Sequence, residues 1–230
     1  MADQALAARS AQLEQAKALV EADASYFPQI VVGVLPVFDD PFVELRRWVA
    51  DFVLLAMSSR KLGTEDKQEL ALKCLEKLSD STANEQDITT AKSFIQITTI
   101  IYPIVFRHVA NNPQSMKLWK NLSDLKSAIL RFWDAEGEGL RICCVKFAQR
   151  VITAQSLGSK DPRLANKEDV SLNIVIADHP LLIERDLNAE AQALLDRIIL
   201  VLQERPAYAN PSALPWSVAA DNLIVIRYSW

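Results

Sequence analysis

Three times in this chain an acidic residue stands seven positions before a base, each time where a helical apolar pattern begins: Asp39 with Arg46, Glu85 with Lys92, and Asp134 with Arg141. The residue just before each base is small or apolar (Leu45, Ala91, Leu140), and the bases stand 46 and 49 residues apart. One acid seven residues before a base is common by chance. Three in register with helix starts indicate a repeated unit, with a period close to the roughly 40–47 residues of stacked helix pairs. In such units the acid sits in a turn, where it accepts hydrogen bonds from helix N-terminal amides, and the base on the following helix reaches a neighbouring turn. A charge ladder of Asp39, Arg46, Glu85, Lys92, Asp134 and Arg141 is therefore expected along the stack.

The apolar spacing supplies the helices. Leu6, Leu13, Ala16 and Val20 mark one within residues 3–24, and Tyr26 to Val37 is a second apolar stretch, broken by Pro28, Gly33 and Pro36. Asp39-Asp40-Pro41 places an acidic cap and a first-turn proline ahead of the stripe Phe42, Leu45, Val49, Phe52 and Ala56. A partner from about Thr64 to Leu78, with Leu70, Cys74 or Leu75, and Leu78 on one side, completes an antiparallel hairpin. A long helix from Asn84 to about His108, with Pro103 as a kink, is followed by one carrying Leu118, Leu122, Leu125, Ile129 and Phe132. Leu140, Cys144, Phe147, Val151 and Ala154 continue the spacing, residues 158–188 read as an irregular loop, and helical spacing returns at Ala191, Leu194, Ile198, Val201 and Leu202. No such pair buries its stripe alone, so each must stack on its neighbours. The expected fold is all-α: a HEAT/armadillo-like solenoid of about five stacked antiparallel helix pairs, one domain over residues 1–230.

Composition narrows the function classes. Half of the 230 residues are hydrophobic, enough for a substantial core. Met1 to Glu21 lacks the basic, apolar and small-residue order of a secretory signal. The longest apolar run, Phe94 to Phe106, contains Gln96, Thr98, Thr99 and Pro103 and is too short and polar to span a bilayer, so no membrane partner is expected. An odd set of three cysteines (Cys74, Cys143, Cys144) points to a reducing compartment and to core thiols. A net charge of −4 argues against a dedicated nucleic-acid binder. From Lys117 to Lys167, however, ten Lys or Arg face five Asp or Glu, a stretch suited to an acidic partner and, secondarily, to RNA.

Catalytic chemistry finds little material. His108 and His179 lie in different segments; the first reads as a capping or surface group and the second as a loop-ordering residue before a ligand. Gly137-Glu138-Gly139 lacks the remainder of any phosphate loop, and the cysteine spacing matches no zinc pattern. Paired acids such as Asp39-Asp40 and Glu65-Asp66 are explained by helix starts. No catalytic residue, cofactor or metal is expected, and the chain is read as a non-enzyme. Lys146 draws attention because its charged head, on so apolar a helix, must reach an exposed surface; it is either a contact point or a solvated outer-face lysine.

Leu140-Arg141 through Val145-Lys146-Phe147, with the Asp134 turn before them and Asp169-Val-Ser-Leu-Asn-Ile174 and Asp178-His179-Pro180 after, resembles the N-terminal domain of the symplekin family; Val43-Glu-Leu-Arg46 with Phe52 fits the same pattern. The likeness covers most of residues 1–205. It implies a nuclear scaffold of the pre-mRNA 3′-end cleavage and polyadenylation machinery that docks the phosphatase of the RNA polymerase II C-terminal domain, alongside other subunits of that machinery. It makes Lys146 a candidate docking residue, and the basic stretch around it adds Arg141, Arg150, Lys117 and Lys120 as candidate contacts for an acidic partner surface. Members of the family are much longer, so this chain is expected to be an N-terminal portion whose last apolar face lacks a cap.

Overall fold

A computed structural model describes residues 2–134, 137–158 and 170–204. Among them lie eight α-helices and no strand: α1 (Ala2–Ala22), α2 (Phe27–Val34), α3 (Val43–Ser58), α4 (Thr64–Asn84), α5 (Ile88–Asn111), α6 (Met116–Arg131), α7 (Glu138–Ala154) and α8 (Glu184–Glu204). Short 3₁₀ turns at Leu35–Asp39, Phe132–Asp134 and Leu172–Ile174 join some of them.

Local chemistry explains the boundaries. Asp87 caps α5 by accepting the Thr90 amide at 2.8 Å. Pro41 lies outside α3 rather than in its first turn: Asp40 Oδ1 accepts the Phe42 amide at 3.0 Å, closing a side-chain turn that postpones the helix to Val43. α4 runs past the expected Leu78 to Asn84, because Ser81 and Thr82 are buried and the Ser81 hydroxyl bonds the Lys77 carbonyl at 3.1 Å. α8 starts at Glu184, ahead of the expected loop end at residue 188, since Leu187 already belongs to the buried stripe with Ala191, Leu194, Leu195 and Ile198. A fifth helix pair would need residues beyond Glu204, which lie outside the described residues.

The helices stack in two rows. α3, α5 and α7 lie side by side as one row; α4 packs mainly against α6 and α5, and meets its sequence neighbour α3 only slightly. Row neighbours therefore share more surface than hairpin partners, as expected when a stripe is hidden by stacking. Aromatic contacts bridge units and join partners within one: Phe38 meets Phe94 with centroids 4.7 Å apart, Tyr102 meets Phe147 edge-on at 5.7 Å, and Phe106 of α5 meets Trp119 of α6 at 6.2 Å. α5 sits at the centre. Its length and composition would suffice to cross a bilayer, yet most of it is buried between its neighbours.

After α7 the segment Val170–Ile183 folds back over the end of α5. His179, buried, donates from Nε2 to the Val109 carbonyl at 3.1 Å, while its Nδ1 accepts the Leu181 and Leu182 amides at 3.1 and 2.9 Å. Those bonds require the Nε2–H tautomer and give the residue a loop-ordering position. Asp178 beside it adopts φ 61°, a left-handed conformation that Asp tolerates.

Burial dictates a contrast. Phe147→Ala, at a site with no exposed surface, is expected to lower stability by about 3–5 kcal/mol, whereas Leu55→Ala, 55% exposed, is expected to change it by less than about 0.5 kcal/mol. Urea midpoints check both; equal losses would contradict this placement of the core.

Candidate functional site

Parallel alignment of α3, α5 and α7 brings their N-terminal ends to one edge, where the acids and bases meet. Arg46 of α3 grips Glu85, just ahead of α5, through Nε–Oε2 at 2.9 Å and Nη2–Oε1 at 3.0 Å. Its third nitrogen donates to the Asp40 carbonyl at 2.8 Å. The Glu85 carboxylate, 3% exposed, also accepts the Gln86 and Asp87 amides at 3.0 and 2.8 Å, both on Oε1, so four donors converge on it. Next to it Arg47 pairs with Asp87, Nε–Oδ2 2.9 Å. The Arg47 guanidinium first, and then the Thr90 amide and hydroxyl, hold the Asp87 carboxyl well below the usual carboxylate range, against the opposing effect of its partial burial.

The other members of the acid–base series go elsewhere. Asp39 accepts from Lys77 and, at 2.6 Å, from Ser81 of α4. Its neighbour Asp40 is buried and pairs with Arg9 of α1. Asp134 pairs with Arg197 of α8 at 2.8 Å, and that guanidinium lies over the Trp133 ring at 4.7 Å. Lys92 reaches across to α7, where its ammonium rests against Gly139. Arg141 is half-buried on α7. Among the six residues, Arg46 and Glu85 are the pair that meets. A cleft of about 470 Å³ opens at this edge, lined by Phe38, Asp39, Asp40, Arg46, Asp80 and Glu85 among others; three of its four carboxylates are already paired.

The basic stretch from Lys117 to Lys167 does not make one surface. Lys117 pairs with Glu76 at 3.4 Å and Lys120 with Asp124 at 2.7 Å, both exposed on α6 in the second row. Lys146 and Arg150 lie on α7, exposed and one turn apart, so they share a face. Arg141, five positions before Lys146, is rotated by about 140° from it and faces a different side. Lys160, Arg163 and Lys167 lie outside the described residues.

Lys126 departs most from its sequence neighbours. It is 6% exposed and donates to Glu190 of α8 at 2.6 Å, with its ammonium 5.8 Å from the Trp119 ring centre. Gln155 Nε2 donates to the same Glu190 oxygen at 2.8 Å and to the Tyr102 hydroxyl at 3.1 Å. This cluster, missed in the sequence, ties α5, α6, α7 and α8 together. One signal pointed to it: Lys126 falls four after Leu122 and three before Ile129, inside the buried stripe of α6.

The cysteines are core thiols. Burial pushes Cys74 and Cys144 up to about 12. Cys143 is raised by burial as well, although the Gln96 amide and the charges of Lys146 and Lys92 pull the other way. Among the described residues no group of three or more His, Cys, Asp or Glu side chains converges.

The edge contacts are testable through stability. Arg46→Met strands a buried carboxylate and is expected to cost about 3–5 kcal/mol, most of which Glu85→Leu in the same chain should restore; a double variant as unstable as the single one would contradict the assignment. Asp87 contributes stability that is fully present above its unfolded value of about 3.9 and is lost as pH falls below it. Asp87→Asn should therefore flatten the acid limb of a stability–pH profile, and an unchanged limb would show that the pair contributes nothing.

Comparison with known proteins places this geometry. Residues 87–226 match the family model described as Symplekin/PTA1 N-terminal. A Schizosaccharomyces pombe protein described as mRNA cleavage and polyadenylation specificity factor complex subunit pta1 is 35% identical over 191 residues, which are 83% of this chain and 28% of that protein. The chain thus spans less than a third of the length of that relative. With a family match running from the cap of α5 past α8, over more than half of its residues, the chain belongs to the symplekin/PTA1 family.

Proposed function

We propose that this chain is a non-catalytic protein-interaction scaffold of the pre-mRNA cleavage and polyadenylation machinery, acting in the nucleus, and that the outer face of α7 docks the phosphatase of the RNA polymerase II C-terminal domain. Kinship with a subunit of an mRNA cleavage and polyadenylation complex supports the scaffold role and other subunits of that machinery as partners. The observation that carries the docking reading is the position of Lys146: exposed, with Arg150 one turn on, on the outer face of a helix whose opposite side, Leu140, Cys144, Phe147 and Val151 included, is buried. A charge held there on a rigid stack loses little freedom on binding, which favours an acidic partner surface.

RNA remains the secondary partner. Lys117 and Lys120 already pair with acids, and the buried Lys126 has no ammonium to spare for phosphates.

The direct experiment is binding of the purified chain to the phosphatase by calorimetry, with Lys146→Glu as comparison. The unaltered chain should bind, and the variant should lose at least about tenfold in affinity, or roughly 1.4 kcal/mol, with its thermal midpoint little changed because the side chain is exposed. Absence of binding by the unaltered chain would overturn the reading.

A further inference from the structure

The acid–base series breaks at its second base, and the break leaves a half-buried cation at the α5–α7 seam. Arg46 occupies its guanidinium on Glu85 and on the Asp40 and Pro41 carbonyls. Lys92 holds the equivalent position one unit later, but Asp134, the acid it would need, is taken by Arg197 of α8. Among the described residues no ion pair involves Lys92. Its ammonium instead lies in a notch on the first turn of α7, where a Cβ on Gly139 would come within 2.7 Å of Nζ and 2.9 Å of Cε. Gly139 therefore admits the lysine head to the α5–α7 seam.

The same seam carries Lys146. α5 and α7 run alongside each other, Lys92 level with Gly139 and Gln96 with Cys143, whose sulfur accepts the Gln96 amide at 3.8 Å. The charges of both ammonium groups reach the Cys143 thiol. Gly139 and Lys146 are seven residues apart, two turns of helix, which separates their backbone positions by about 10 Å along the seam. The carboxylate of Asp51, bonded to Ser93 at 2.9 Å, lies on the opposite flank of α5, toward α3.

We propose that Lys92 is a second anchor of the docking surface, and that the partner protein presents two acidic side chains about 10 Å apart, as at positions i and i+7 of a helix, to Lys92 and Lys146. The proposal rests on the docking reading given above. Gln96, exposed between the two lysines, supplies a polar contact at the midpoint.

Titration of the phosphatase into the full chain and its variants, at two salt concentrations, tests it. Lys92→Glu should weaken binding by at least about tenfold and reduce the salt dependence, while Lys92→Arg should bind as the unaltered chain does. Gly139→Ala replaces glycine in a helix and so should not lower the thermal midpoint, yet its methyl group displaces the lysine head and should weaken binding several-fold. A structural role for Lys92 would move the midpoint and not the affinity. If Lys146→Glu loses binding while Lys92→Glu and Gly139→Ala bind normally, the second anchor is wrong and docking stands. If the unaltered chain does not bind the phosphatase, both readings fall.

Discussion

Among the described residues, α3 and α5 cover their apolar stripes mainly against row neighbours rather than against the helix that follows, and α5 shows the consequence most plainly. Its buried residues run around it from Phe94 and Ile95 through Ile101 and Tyr102 to Val105 and Phe106. Two neighbours in its row, α3 and α7, and two in the other, α4 and α6, are needed to cover them. Burial of that helix from several sides makes stacking the only arrangement that removes its apolar surface from water, and the extended outer face of the row is what stacking leaves over.

Burial fixes the stack but is indifferent to sliding, and polar contacts at the helix ends supply the register. Arg46 on Glu85 and Arg47 on Asp87 align α3 with α5; Lys126, Glu190, Gln155 and Tyr102 place α8 against α6 and α7. Each group in the second cluster is costly to bury unless the others are in position, so a displaced α8 would strand charge in the core. Where the edge contacts are complete, the surface is neutralised. Where they stop, at Lys92, a cation is left on the α5–α7 seam.

Much of the fold was legible because 3.6-residue spacing and a repeat of 46 and 49 residues are local signals: the stripes at Leu45, Val49 and Phe52, and at Leu140, Cys144 and Phe147, are buried as their spacing implies. Polar contacts were less legible, since pairing depends on which side chain arrives across the stack. Asp40 and not Asp39 receives the base from α1, and Asp134 receives one from α8, 63 residues away. A basic run in sequence became three separate environments because α6 and α7 belong to different rows, and because Lys126 occupies a core position of α6. Exposure of Lys146 followed from its helix; its proximity to Lys92 did not.

The central claim is that stacked helices expose one seam, between α5 and α7, for an acidic protein partner. Lysine footprinting by amine acylation and mass spectrometry, on the chain alone and in complex with the phosphatase, tests it most directly. The account predicts that Lys146 and Lys92 lose reactivity in the complex while Lys117 and Lys120, on the other row, keep theirs. Protection of Lys117 and Lys120 with Lys92 and Lys146 still reactive would contradict it.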